Sequence, residues 1–188
     1  MSRLLALLLA LLAGVSAQAA EIGQVQADKS RLSFAYTQMG VPMEGTFRRF
    51  SAKMSFDPAR VPSARASIEV DVAGIDTGSA EADQEVKGKL WFDAATHPTA
   101  HFVSTAVKAL GGNRFEARGK LTLKGRTLDT AAPFTFTPTP QGGAFDGAFT
   151  LKRLDYAIGE GMWADVSAVA NEVLIRFHIV AGSAPAKK

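Results

Sequence analysis

From Arg31 onward, apolar residues recur at every second position: Leu32, Phe34 and Tyr36; Ile68, Val70 and Val72; Leu121 and Leu123; Val173, Ile175, Phe177 and Ile179. A period of two marks strands with one face toward an apolar interior and the other toward water, because successive side chains on a strand point to opposite faces. Turn residues punctuate the pattern. Gly111-Gly112-Asn113 separates 101–110 from 114–123, and Gln141-Gly142-Gly143 separates 131–138 from 144–152, each the spacing of a hairpin. Roughly eight or nine such segments in one chain predict an all-β antiparallel sandwich or barrel. One stretch reads as a helix, residues 79–88: Ser79 is a capping residue, and Glu81 and Asp83 favour the positive end of the helix dipole. It is expected to cover one end of the sheet.

Ahead of the strands, Arg3, the 12-residue apolar run Leu4–Val15 and Ala17-Gln18-Ala19 have the form of a signal peptide cut after Ala19. The run is too short for a transmembrane helix, which needs ~20 apolar residues. Removing residues 1–19 from the 188 leaves 169, a size that suits one domain, expected at 20–181 with 182–188 as a flexible tail. The chain has no cysteine, which excludes disulfides, thiolate nucleophiles and Cys-ligated metals. Acylation after leader cleavage is excluded too, since the new first residue is Ala20. The formal charge of +3 falls to +2 without Arg3, and no basic stripe tracks phosphates; nucleic acid is not an expected partner.

Residue patterns for catalysis are sparse. His97 and His101 have helical ligand spacing, but Pro98 breaks a helix there, and His178 is distant in sequence. No G-x-S-x-G elbow or phosphate loop occurs, and Asp71 and Asp76 are of opposite strand parity. No catalytic residue and no metal site is expected, and the chain is read as a non-enzyme.

A spaced series of short motifs runs through nearly the whole mature chain. Gly45-Thr46-Phe47 is followed by Phe56-Asp57-Pro58, Ile75-Asp76-Thr77-Gly78, Trp91-Phe92-Asp93, His97-Pro98-Thr99, Gly119–Gly125, Arg153-Leu154-Asp155-Tyr156 and Asn171-Glu172-Val173. In order and spacing this series resembles the YceI family. The resemblance implies an eight-stranded, lipocalin-like antiparallel β-barrel exported to the periplasm, whose ligand is a long isoprenoid or other lipid, polyprenyl or quinone in type. Gly159–Asp165 resembles the branch found beside di-haem b-type membrane cytochromes, which implies a quinone-related role and transient contact with the membrane or such a cytochrome. The chain departs from the family at Gln38, where members often carry His, and at Ala82-Asp83, where many carry Arg-Asp.

Alternation alone leaves open whether the aromatic residues pack against one another or line a cavity; the resemblance implies a lining. The lipid-binding candidates are Phe34, Tyr36, Phe47, Phe50, Phe56, Trp91, Phe92, Phe102, Phe134, Phe136, Phe149, Tyr156 and Trp163. Arg153 and Asp155 share a strand face and are either head-group contacts or an ordinary ion pair at the barrel end, while Lys120, Lys124 and Arg126 are expected on a solvated face. The alternative function is a non-catalytic interaction or stress-response module with a filled barrel. A homodimer through an unpaired strand edge stays open.

Overall fold

The computed structural model describes residues 21–183; the expected leader and residues 184–188 of the tail lie outside the described residues. The strands are β1 (Ile22–Val25), β2 (Arg31–Gln38), β3 (Val41–Phe47), β4 (Phe50–Ser55), β5 (Arg65–Asp71), β6 (Ile75–Asp76), β7 (Thr99–Gly111), β8 (Arg114–Leu123), β9 (Arg126–Thr139), β10 (Gly142–Lys152) and β11 (Glu172–Ser183), with one α-helix, α1 (Ala80–Lys87), among the described residues. They form a single antiparallel sheet in the order β4-β5-β7-β8-β9-β10-β11-β2-β3-β6, with β1 added on β11. β3 pairs with β6 while β4, its continuation, pairs with β5, so the sheet curls back on itself into a barrel-like shape.

The strand count is eleven rather than the expected eight, and the three additional strands have local causes. A corner at Arg48-Arg49 separates β3 from β4, and a 3-10 turn at Val72–Gly74 separates β5 from β6. Only single backbone bonds cross this corner, Arg48 N–H to the Gly74 carbonyl (2.9 Å) and Asp71 N–H to the Arg49 carbonyl (3.0 Å). Arg48 pairs with Asp76 and Arg49 with Asp71, fastening the bend from outside. The third is β1, which bridges Ile22 to Phe56 and lies on the end of β11. Through that pairing β11 continues to Ser183, beyond the expected domain end at Ala181.

The predicted helix forms at Ala80–Lys87, where Ser79 Oγ accepts from the Ala82 amide. The Asp83 carboxylate accepts from both the Thr77 amide and its hydroxyl at 2.7 Å, pinning the turn into the helix, and Asp76 accepts from the Gly78 amide. Inside the sheet, aromatic rings lie flat on cross-strand glycines. A Cβ placed at Gly45 would fall 2.2 Å from the Phe34 ring, and one at Gly147 2.3 Å from that of Phe177, so these rings need a bare backbone beneath them.

Asp57 anchors the turn after β4. Its carboxylate accepts from the Ala59 amide and from Arg60 Nε, both at 2.8 Å, and its side chain is nearly inaccessible. The Arg60 bond, then the Ala59 amide, hold the carboxyl below the ordinary aspartate value, against burial that would raise it. A depressed carboxyl contributes stability that is complete above the unfolded value of about 3.9 and is lost as pH falls through the folded value. Urea midpoints of wild type and Asp57→Asn should therefore differ by a constant amount above about pH 5 and converge in acid below it. A gap that stays constant into acid would show that the carboxylate charge contributes nothing.

Candidate functional site

The inward side chains form two groups stacked along the barrel axis. At the end away from α1, Phe56, Phe115, Phe134, Phe136 and Phe145 pack ring against ring with centroids 5.0–6.1 Å apart. The rest of the interior is not filled, and a cavity of about 280 Å³ runs from the α1 end down to Phe56, Phe134 and Phe145 among these rings. On β10 the lining runs from Phe145 to Leu151, six residue steps or about 20 Å at strand spacing. The wall is almost wholly apolar. Where the cavity reaches the surface at the α1 end, Gln38, Ala82, Glu85, Val86 and Trp163 border it, and on the β4–β5 side the lining extends to Lys53 and Arg65.

Of the thirteen aromatic candidates, Phe34, Tyr36, Phe47, Phe56, Trp91, Phe92, Phe102, Phe134, Phe149 and Trp163 line this cavity. Three do not. Phe136 has the inward parity of Phe134 but lies among the packed rings, 5.0 Å from Phe56 and from Phe145. Phe50 opens β4 opposite Val70 and packs half-buried against the core, yet it borders a separate groove with Arg31, Arg48 and Arg49 instead of the cavity. Tyr156 is buried in the core behind the wall, where burial raises its phenol's pKa. Alternation also marked the aliphatic wall from Val70, Leu121, Leu123, Ile175 and Ile179; what it gave no signal for is Ile158 and Val169, which reach the cavity from irregular segments. Tyr36 contributes a hydroxyl whose pKa burial raises, so it is a neutral donor at physiological pH.

Arg153 and Asp155 do not form the expected pair. The chain leaves β10 at Arg153 in a 3-10 turn ended by Ala157 in the left-handed region, φ 57°, so strand parity no longer applies. Asp155 stays on the surface, and Arg153 turns inward, 2 % exposed. All of its bonds go to backbone carbonyls: Nε to Ala170 (3.1 Å), one terminal nitrogen to Ile158 and Gly159 (2.9 Å each), the other to Trp163 (2.7 Å) and Val169 (2.6 Å). Its guanidinium carbon stands 5.5 Å above the Trp91 ring, and Trp91 in turn packs against Trp163 at 5.4 Å. Desolvation lowers the arginine's pKa, but a guanidinium starts so high that it stays charged. Arg153 thus ties the 158–170 segment over the end of the barrel. Trp163 Nε1 completes the closure by donating to Glu85 of α1 at 2.8 Å.

Lys124 also departs from its expected solvated position. Its ammonium is largely covered, donating to the Ala157 carbonyl at 2.7 Å and to Glu160 at 3.0 Å, and so braces the same segment from the β8–β9 turn. His101 bonds Thr99 at 2.9 Å, and among the described residues no group of three or more His, Asp or Glu is placed to hold a metal ion.

With this geometry in view, the relationships of the chain are coherent. The YceI-like domain model matches residues 24–181. A UPF0312 protein of Pseudomonas savastanoi pv. phaseolicola is 33% identical over 162 residues, covering 82% of this chain and 84% of the relative. Among solved structures, Burkholderia cenocepacia BcnA superposes with a TM-score of 0.81 at 42% identity, over 83% of this chain and 98% of that one. A polyisoprenoid-binding domain from Saccharophagus degradans, implicated in plant cell wall breakdown, shares the fold with a TM-score of 0.63 at 14% identity, over 89% of this chain and all of that one. By the family match across its described length, the chain belongs to the YceI-like domain family.

Proposed function

We propose that this protein is a non-catalytic carrier, exported to the periplasm, that shields a long isoprenoid chain, polyprenyl or quinone in type, from water. The observation that carries the reading is the apolar cavity: twelve aromatic side chains and an aliphatic wall face unfilled space, where a side-chain core would close-pack. The polyisoprenoid-binding domain with the same fold supports the ligand class. The carrier reading over catalysis is supported by Arg153, whose donors are spent on carbonyls and cannot also polarise a reacting group. The packed aromatic end favours an interaction module with a filled barrel, but only over that end.

Transfer energetics suit reversible carriage. A chain of about 40 carbons at ~0.8 kcal/mol each would gain roughly 32 kcal/mol on leaving water, well above the ceiling near ~20 kcal/mol for non-covalent binding. Partial burial and ordering costs must offset much of it. Between membrane and barrel, both apolar, the net change is small, so cargo can be loaded and released without an energy source.

The chain has two tryptophans, and both line the cavity. Titrating delipidated protein with a ubiquinone or a polyprenol should therefore change intrinsic fluorescence saturably at one ligand per chain. A linear, unsaturable response to both would remove the carrier reading.

A further inference from the structure

The end of the barrel where the cavity meets Gln38 and Trp163 carries apolar side chains that nothing in the fold uses. Met39, in the turn joining β2 to β3, and Val41, which opens β3, are 72% and 56% exposed; Met162 and Val166, in the segment held by Arg153, are 77% and 53% exposed; Leu90, after α1, is 41% exposed. Scattered exposed hydrophobics are ordinary on any surface. These are not scattered. The Met39 amide donates to the Ala168 carbonyl at 2.9 Å and Gln38 bridges Val169, so the turn and the segment are one surface. The Gly159 and Glu160 amides both donate to the Leu90 carbonyl, at 2.9 and 2.8 Å, joining the third piece.

The residue at 39 is itself informative. Met39 and Gly40 have φ of 48° and 78°, the two-residue hairpin geometry in which asparagine is favoured at the first position, since it tolerates the left-handed region. A methionine here accepts a backbone cost and gains no packing within the protein. An unbranched, flexible apolar side chain at the tip of a hairpin is suited to entering a disordered apolar phase.

Resting on the carrier reading above, we infer that this rim is a membrane-docking surface: Met39, Val41, Leu90, Met162 and Val166 enter the interface of a lipid bilayer and set the Trp163–Glu85 closure against it. The occupant is a bilayer rather than a protein because the rim surrounds the end of the apolar cavity lined by Gln38, Glu85 and Trp163, so an apolar chain released past the Trp163–Glu85 closure enters the membrane without crossing water. The segments of the rim carry both signs of charge, Lys87 and Lys89 before Leu90 and Glu160 and Asp165 around Met162, and Glu160 is paired with Lys124, leaving no strongly basic face. Docking is therefore driven by apolar insertion and is insensitive to salt.

The test uses the mature protein with phosphatidylethanolamine/phosphatidylglycerol vesicles, followed by flotation, and farnesol added from water as a probe of the cavity alone. Met39→Asn, which suits the turn, is combined with Met162→Ser. The expected result is that wild type floats with vesicles at both low and 0.5 M salt, that the double variant partitions at least about tenfold less, and that both bind farnesol equally. Wild type that binds farnesol but does not float, or a variant that floats as well as wild type, overturns the docking surface and leaves the carrier reading standing. Flotation abolished by salt overturns apolar insertion. A concentration-dependent dimer dissolved by the same substitutions assigns the surface to a second copy and overturns the proposal. Absence of farnesol binding in wild type, with vesicle flotation intact, contradicts the carrier reading instead.

Discussion

Arg153→Met should cost at least about 4 kcal/mol in urea denaturation, more than any other single substitution considered for this chain. The arginine's five bonds reach carbonyls of Ile158, Gly159, Trp163, Val169 and Ala170, and methionine fills much of the same space while offering none of them a donor. Each buried carbonyl left unpaired costs ~1–3 kcal/mol, whereas removing the buried charge returns part of that through its avoided desolvation. The balance stays unfavourable because only one side of the network is replaced. Against a typical domain stability of ~5–15 kcal/mol, such a variant stands near the edge of folding. Arg153→Lys should recover only a fraction, since an ammonium has three donors and lacks the planar fork that reaches carbonyls on both sides. A loss below ~1 kcal/mol for Arg153→Met would mean that the 158–170 segment is held by something other than this side chain.

Val173→Trp should abolish lipid retention with the fold intact. Val173 lies on β11, half-buried, with its side chain on the cavity wall. An indole there would occupy volume that the ligand needs, at small cost to the protein because it fills a void rather than a close-packed site. At least a hundredfold weaker ubiquinone binding is expected, about 2.7 kcal/mol, with an unchanged circular dichroism spectrum. Phe136→Trp is the contrast. It overpacks the aromatic end, so it should lower stability and leave affinity nearly unaltered. Equal binding by wild type and Val173→Trp would place the ligand outside this cavity.

What the sequence made legible follows what is local. Alternation located the strands because a half-buried strand has no other way to distribute its apolar residues, and Ser79 with the acidic residues after it marked the helix start. Alternation is blind to breaks that keep the chain nearly extended. The Arg48-Arg49 corner and the Val72–Gly74 turn therefore went unseen, and with them the strand count. Parity also reports which face a residue occupies but not its depth along the barrel, so Phe134, which reaches the cavity, and Phe136, which does not, looked alike. Arg153 was picked out for a head-group contact or an ion pair with Asp155. Its actual partners are carbonyls contributed by a segment without regular structure, and backbone acceptors leave no trace in residue identity.

The central claim, that the cavity carries a lipid, is tested most directly by native mass spectrometry of the protein purified from cells without detergent, followed by solvent extraction and identification of what is freed. A stoichiometric isoprenoid or quinone, lost in Val173→Trp, is the predicted result. A bare protein mass that persists after incubation with quinone-loaded vesicles would contradict it.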